Sequence, residues 1–301
     1  MENSHYNTKV GFVAIIGRPN VGKSTLLNRF VGQKIAITSS KPQTTRNHIQ
    51  GILTIPKKAQ IIFVDTPGIH KPHHLFGEQL IKRAIKPIKE VDLILFMVDG
   101  TIPPGGGDRY VADLIKNSNT PSFLLLNKID RLSKGERNKY IQNYEDLANF
   151  KKTFLISAKH GDNVLELLNT IIENLPLGYF LYDEDELTDQ PQRIIVGELI
   201  REQVFRLTGE ELPHSTAIVV EEMKERSNGI IYISAIIVVE KESQKGMIIG
   251  KNGNKLKEIG TQSRKNIEEF LNSKVYLELF VKLIKNWRKD PSQLRNLGYL
   301  D

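Results

Sequence analysis

An α/β domain built on a mostly parallel sheet, followed by a smaller α+β domain, is the fold class this sequence predicts. Three observations carry it. Short apolar runs at residues 10–16, 60–65, 92–99, 122–127 and 153–157 alternate with helix-periodic segments. That alternation is the pattern of parallel strands joined by right-handed crossovers. The first run passes through a glycine-bracketed loop, GRPNVGKS, into an amphipathic helix. Finally, 301 residues are too many for one ordinary core, and the pattern changes after an acidic stretch near residue 185. The expected divisions are a first domain at 1–180, a linker at 181–192 and a second domain at 193–301.

Residues 10–16 are apolar throughout and suit a strand buried on both faces. They lead into Gly17-Arg18-Pro19-Asn20-Val21-Gly22-Lys23-Ser24, which fits GxxxxGK[ST] at every fixed position, with Thr25 continuing as helix. In that context backbone N–H groups converge at a helix N-terminus, where orphan amides and the helix dipole favour a polyphosphate. Lys23 adds a cation for the outer phosphates, and the Ser24 hydroxyl is placed to ligate Mg²⁺. Residues 35–46 are polar, rich in Ser and Thr and without a steady period, so they read as a loop. The runs at 48–54 and 60–65 flank Pro56-Lys57-Lys58-Ala59 as a hairpin. The second run ends in Asp65-Thr66-Pro67-Gly68. Asp65 is where a carboxylate reaches Mg²⁺ through the cation's shell, and Gly68 lets the backbone approach a γ-phosphate and swing away.

Helical patterns follow at 75–89, 109–116, 137–147 and 164–174. Asn127-Lys128-Ile129-Asp130 closes the run at 122–127. An aspartate there accepts two hydrogen bonds from the N1–H and exocyclic amine of guanine, donors that adenine lacks. Ser157-Ala158-Lys159 follows the next strand and offers a backbone amide to the guanine O6. His70, His73 and His74 share no helical or strand register and do not make a metal site. Residues 103–107, PPGGG, have no following lysine and read as a flexible connection.

The stretch 175–192 is acidic and reads as a solvated connector. Beyond it come a helix at 193–207, strands at 215–222 and 229–240, a helix pair, and a last strand at 275–284. Ile249-Gly250-Lys251-Asn252-Gly253 sits between the paired helices. A GxxG turn lets a nucleic-acid backbone approach closely, while an adjacent apolar groove takes single-stranded bases. Lys251, Lys255 and Lys257 place positive charge around it. Trp287, in the basic tail at 282–289, has two readings: a base-stacking platform or a packing residue of the last strand.

The set GRPNVGKS, DTPG, NKID and SAK resembles the signature of translation-factor-related GTP-binding proteins across roughly the first 180 residues. GRPNVGKSTLLN, PQTTR and DTPGIHKP resemble, more narrowly, the Era family within the TrmE–Era–EngA group. The second half resembles a type II KH domain. The resemblance implies that the switch threonine ligating Mg²⁺ lies in Thr44-Thr45-Arg46, with Thr45 favoured over Thr44. At Ile69, where Ras-like proteins carry a water-orienting glutamine, no hydrogen bond to water is available from the side chain. The resemblance implies a K⁺ ion held with the help of Asn20 in compensation; the plainer reading of Asn20 is a turn residue tolerant of left-handed geometry. It also implies GTP and GDP as ligands, hydrolysis of GTP, and single-stranded 16S rRNA near its 3′ end and the 30S subunit as partners, with the chain acting as a monomer in ribosome assembly.

Composition narrows the classes. There is no cysteine, which excludes disulfides and suits a reducing cytoplasm. The N-terminus lacks a charged-then-apolar signal pattern, and no apolar run is long enough to span a bilayer. A net charge of +7 points weakly to an anionic partner. The alternatives are a GTPase domain serving RNA modification, for which no second catalytic set is visible, and a peripheral GTPase of the inner membrane, which the family resemblance allows and whose basic tail would meet anionic lipid.

Overall fold

The computed structural model describes residues 8–38, 49–66, 68, 90–208, 212 and 215–297. Two compact units meet in the chain between Asp189 and Gln190. In the first, the apolar runs become strands β1 (Lys9–Ile16), β2 (Ile49–Ile55), β3 (Ala59–Asp65), β4 (Leu93–Asp99), β5 (Ser122–Asn127) and β6 (Lys152–Leu155). Their order is β2-β3-β1-β4-β5-β6, parallel throughout except that β2 runs antiparallel to β3 as the expected hairpin. The central strands β3, β4 and β5 are buried along nearly their whole length, as strands covered on both faces must be.

Helices α1 (Lys23–Val31), α2 (Gly106–Lys116), α3 (Ile141–Glu145) and α4 (Val164–Asn174) follow their strands. Phe30 of α1 stacks on Phe63 of β3 with ring centroids 4.5 Å apart. On another face Val111 and Ile115 of α2 and Tyr144 of α3 close over Phe96, Val98, Leu124 and Leu126. The expected helix at 137–147 contracts to α3, with turns on either side. The expected helix at 75–89 lies outside the described residues.

Two expectations are corrected. The glycine run at 103–107 is not a flexible connection, because Gly106 and Gly107 open α2 and the Asp108 carboxylate accepts from Gly105 N–H at 2.8 Å. The acidic connector is not simply solvated. Val10 N–H donates to Pro176 O, Gly178 N–H to Thr8 O and Ile52 N–H to Leu187 O. Gln60, fully buried, bonds the Tyr182 carbonyl through Nε2 and accepts from the Leu181 and Tyr182 amides through Oε1. A polar side chain can be buried at that depth because the connector satisfies it.

The second unit contains α5 (Gln192–Leu207), β7 (Ala217–Glu225), β8 (Ile231–Val239), α6 (Glu242–Ile249), α7 (Asn254–Leu271), β9 (Val275–Leu283) and α8 (Pro291–Asn296). The sheet order is β7-β8-β9, with β7 antiparallel and β9 parallel to β8, and a bulge between Val220 and Glu222. Ile195 and Leu199 of α5 and Ile267 of α7 pack on Ile233 and Ala235 of β8. Trp287 is fully buried and its Nε1–H donates to Ser215 O at 3.1 Å, so it packs and is not a base platform. Among the described residues no helix is long and apolar enough to cross a membrane.

Candidate nucleotide and nucleic-acid sites

The carboxyl ends of β1, β3, β5 and β6 bring the sequence motifs to one edge of the first unit, where an open α/β sheet binds its ligand. The phosphate loop is shaped by three residues of positive φ, Gly17 (155°), Asn20 (65°) and Gly22 (111°). Gly22 is obligatory on space as well, since a Cβ there would lie 2.3 Å from Asn127 Nδ2. Lys23 opens α1, and its ammonium donates to the carbonyls of Gly17 (3.2 Å) and Arg18 (2.9 Å). Burial pulls the Lys23 pKa down to about 8, against the opposing pull of the Asp65 carboxylate.

Ser24 Oγ donates to Asp65 Oδ2 at 2.8 Å, and Asp65 is fully buried. Two hard oxygen donors side by side, next to an ammonium, form a donor set that fits Mg²⁺ and not a soft metal. Thr25 continues α1. Thr66 anchors its hydroxyl on Ile15 O at 3.0 Å, and a Cβ on Gly68 would come within 2.7 Å of Pro19, so the glycine is needed for close approach to the phosphate loop. Thr44, Thr45, Arg46, Pro67, Ile69 and the three histidines lie outside the described residues. Among the described residues no cluster of three or more His, Cys, Asp or Glu could hold a metal by itself.

The base-reading motifs are joined to that loop. Asn127 Nδ2 donates to Val21 O at 2.7 Å, while its Oδ1 accepts from the Ala158 amide at 2.8 Å. One side chain therefore ties the phosphate loop to both NKID and SAK. Of the SAK turn, expected to offer a backbone amide to guanine O6, the Ala158 amide is directed here at Asn127. Ser157 Oγ donates to Asp130 Oδ1 at 2.7 Å, and that bond holds the Asp130 carboxyl below the usual carboxylate range. Lys128 adopts a left-handed φ of 70°, and Ile129 is buried with its amide on Ile156 O. Lys159 offers its carbonyl to Arg29.

Several residues that sequence reasoning passed over position these loops. Arg29 of α1 donates from Nε to Ala158 O at 2.7 Å, pinning the SAK turn. Asn28 Oδ1 accepts from the amides of Ile35 and Ala36. Arg18, expected to bind nucleotide, turns its Nε to the fully buried Asp108 at 2.7 Å and enters the site through its carbonyl on Lys23. At the end of β4, Asp99 accepts from Lys128 Nζ at 2.6 Å and from Thr101. Burial alone would raise the Asp99 carboxyl, but those hydrogen bonds outweigh it and hold it below the usual range. No local pattern marks the Arg18–Asp108, Arg29–Ala158 and Asp99–Lys128 pairs, because their partners are distant in the chain.

In the second unit α6 ends at Ile249, and Gly250 (φ 68°), Asn252 (φ 53°) and Gly253 (φ 75°) turn the chain into α7. Lys251 and Lys257 are exposed, whereas Lys255 pairs with Glu258 at 2.8 Å. Beside the turn a groove of about 440 Å³ is lined by Gly253, Leu256, Lys257, Gly260, Arg264 and Leu279. It has the mixed apolar and basic lining that single-stranded bases and their phosphates require.

Comparison with known proteins agrees with both units. Residues 12–128 match a family model described as a 50S ribosome-binding GTPase, and residues 211–288 match a KH domain model. A relative described as GTPase Era, from Lactobacillus helveticus, is 50% identical over 291 residues, covering 97% of this chain and 96% of that one. Era in complex with MgGDPNP and nucleotides 1506–1542 of 16S ribosomal RNA superposes with a TM-score of 0.94 at 40% identity, over 98% of this chain and 100% of the other. A single-site variant of Aquifex aeolicus Era bound to GDP·AlF4⁻ gives 0.93 at 40% identity over the same shares.

Proposed function

The chain belongs to the Era family of GTPases, and on that premise we propose that it binds GTP and GDP, hydrolyses GTP, and holds single-stranded 16S rRNA during small-subunit assembly. The observation that carries the nucleotide half is Asn127, bonded at once to Val21 of the phosphate loop and Ala158 of the SAK turn. It makes one site of motifs more than a hundred residues apart. Within that site Lys23 and the loop amides meet the phosphates, and Asp130 reads the guanine N1–H and amine. Mg²⁺, which a relative holds with its nucleotide analogue, would be bound by Ser24 and Asp65 and would neutralise phosphate charge.

For the RNA half, the groove beside Gly253 takes the bases, and Lys251 and Lys257 approach the backbone. A relative's complex with nucleotides 1506–1542 of 16S RNA supports an occupant from the 3′ end. The reading extends to K⁺ near the exposed, left-handed Asn20, and to a monomer that works in the cytoplasm on the 30S subunit. Co-sedimentation tests it: with GDPNP the protein should pellet with purified 30S subunits at moderate salt, and should not bind anionic vesicles with comparable affinity. Binding to vesicles but not to 30S subunits would replace this reading with that of a peripheral membrane GTPase.

A further inference from the structure

We propose that Asp99 is a positioning residue for guanine selectivity, acting through Lys128 on Asp130. The inference rests on the guanine-nucleotide reading above and adds a determinant that lies outside all four sequence motifs. Asp99 is the last residue of β4, and Asn127 is its neighbour across the sheet on β5. From there the Asp99 carboxylate divides its two oxygens between two tasks. Oδ2 accepts the Lys128 ammonium at 2.6 Å, in a pair whose side chains are only 15% and 20% exposed. Oδ1 accepts from Thr101 N–H (3.0 Å) and Thr101 Oγ1 (2.6 Å), closing the turn that follows β4.

The Lys128 end is the consequential one. Lys128 holds a left-handed φ of 70°, a conformation that L-residues other than Asn and Asp rarely occupy. Such a residue stays in place only where its surroundings over-determine it. The surroundings here are the Asp99 ion pair, the Arg131 amide on Lys128 O at 3.0 Å and the Ile129 amide bond to Ile156 O, which is long at 3.3 Å; of these only the ion pair holds the Lys128 side chain. Asp130 is two residues on, in the single turn Ile129–Arg131 that begins from this strained position. Releasing Lys128 lets the turn relax and leaves Ser157 Oγ, on Oδ1 alone, to aim the carboxylate that must meet two guanine donors together. The phosphate loop does not depend on this contact, so the loss should fall on the base.

Asp99→Asn separates the two tasks. It keeps an oxygen for Thr101 and replaces the charge facing Lys128 with an amide that repels it. The measurement is the affinity of the full chain for GDP, IDP and XDP, with the folded state checked by thermal melt. Inosine lacks the exocyclic amine, so the GDP-to-IDP ratio reports how well Asp130 is aimed. In Asp99→Asn that ratio should shrink by roughly tenfold, with IDP affinity changed far less. Thr101→Val, which removes only the hydroxyl bond of the turn, should leave the ratio unchanged. In a Lys128→Met background the Asp99→Asn effect should vanish, because the two changes break one interaction.

A folded Asp99→Asn protein with the wild-type ratio overturns the proposal and leaves Asp99 as the cap of the 99–102 turn. An undiminished effect in the Lys128→Met background overturns it too, since Asp99 would then act by another route. Asp99→Glu, which displaces the charge by one methylene, carries the same test if the Asn variant is not recovered folded. A wild-type chain with no preference for GDP over IDP and XDP would instead refute the guanine reading itself, so the two failures are distinguishable.

Discussion

Replacing Gly253 with aspartate should separate RNA binding from folding, and the two glycines of the GxxG turn show why this one is the right probe. Gly250 and Gly253 both have left-handed φ values, 68° and 75°. A Cβ on Gly250 would lie 2.6 Å from Lys255 Cβ and 3.1 Å from Lys255 N, whereas one on Gly253 would meet nothing within 4 Å. Gly253→Asp therefore costs the fold about 1 kcal/mol of backbone strain. Its carboxylate would sit at the N-terminus of α7, in the groove wall, where an RNA phosphate is expected. Two like charges about 4 Å apart repel by about 4 kcal/mol at an effective dielectric constant near 20. Allowing for screening, a loss of about 3 kcal/mol weakens RNA binding by roughly a hundredfold. Gly250→Ala adds a clash worth about 1–3 kcal/mol to the same strain and should lose stability and RNA binding together. Urea melts and anisotropy of a labelled 16S 3′-end oligonucleotide give the two quantities, with GTP hydrolysis as the control. A well-folded Gly253→Asp protein that binds the oligonucleotide as tightly as wild type would refute the reasoning.

Two further expectations concern the first unit. Hydrolysis should be faster in K⁺ than in Na⁺ at one ionic strength, and Asn20→Ala should narrow the difference; equal rates in the two salts would leave Asn20 as a turn residue. Lys23, with a pKa near 8, should lose its proton as pH rises past that value. Nucleotide affinity, measured by fluorescence titration, should fall above pH 8 by up to roughly tenfold per pH unit. The sign is opposite for folding of the unliganded chain, because the native value is below the unfolded one. This group should therefore add stability as pH climbs from about 8 to 10.5. A flat affinity profile from pH 7 to 9.5 would count against the burial of the ammonium.

What was legible in the sequence was local. The strand alternation, the glycines of the phosphate loop and the GxxG turn each declare themselves within about ten residues, through period or steric demand. The described strands fall within two or three residues of expectation at their ends. The residues that aim the motifs were not legible. Arg18 meets Asp108 across 90 positions, Arg29 meets Ala158 across 129, and Lys128 meets Asp99 across 29. Such pairings depend on which strand ends lie side by side, and that order, β2-β3-β1-β4-β5-β6, is not written in any window. For Trp287 the sequence left two readings open for a related reason, since the acceptor that decides for packing lies 72 residues earlier. Composition misled at the connector, where acidic residues suggested solvent although the backbone between them is hydrogen-bonded.

That connector matters for how the first unit behaves in a crowded solution. β2 is the terminal strand of the six-stranded sheet, and a terminal strand offers unpaired amides and carbonyls to any strand that drifts by. Leu187 takes the Ile52 amide and Thr188 forms a bridge with Gly51, so part of that row is already occupied by the chain itself. The four acidic residues Asp183, Glu184, Asp185 and Glu186 stand just before this cover and add charge beside the edge, as strand edges exposed to solvent commonly carry. A fragment ending at residue 180 would keep every nucleotide motif and yet bare this edge, inviting intermolecular sheet growth. One ending at Asp189 would carry its own guard against aggregation.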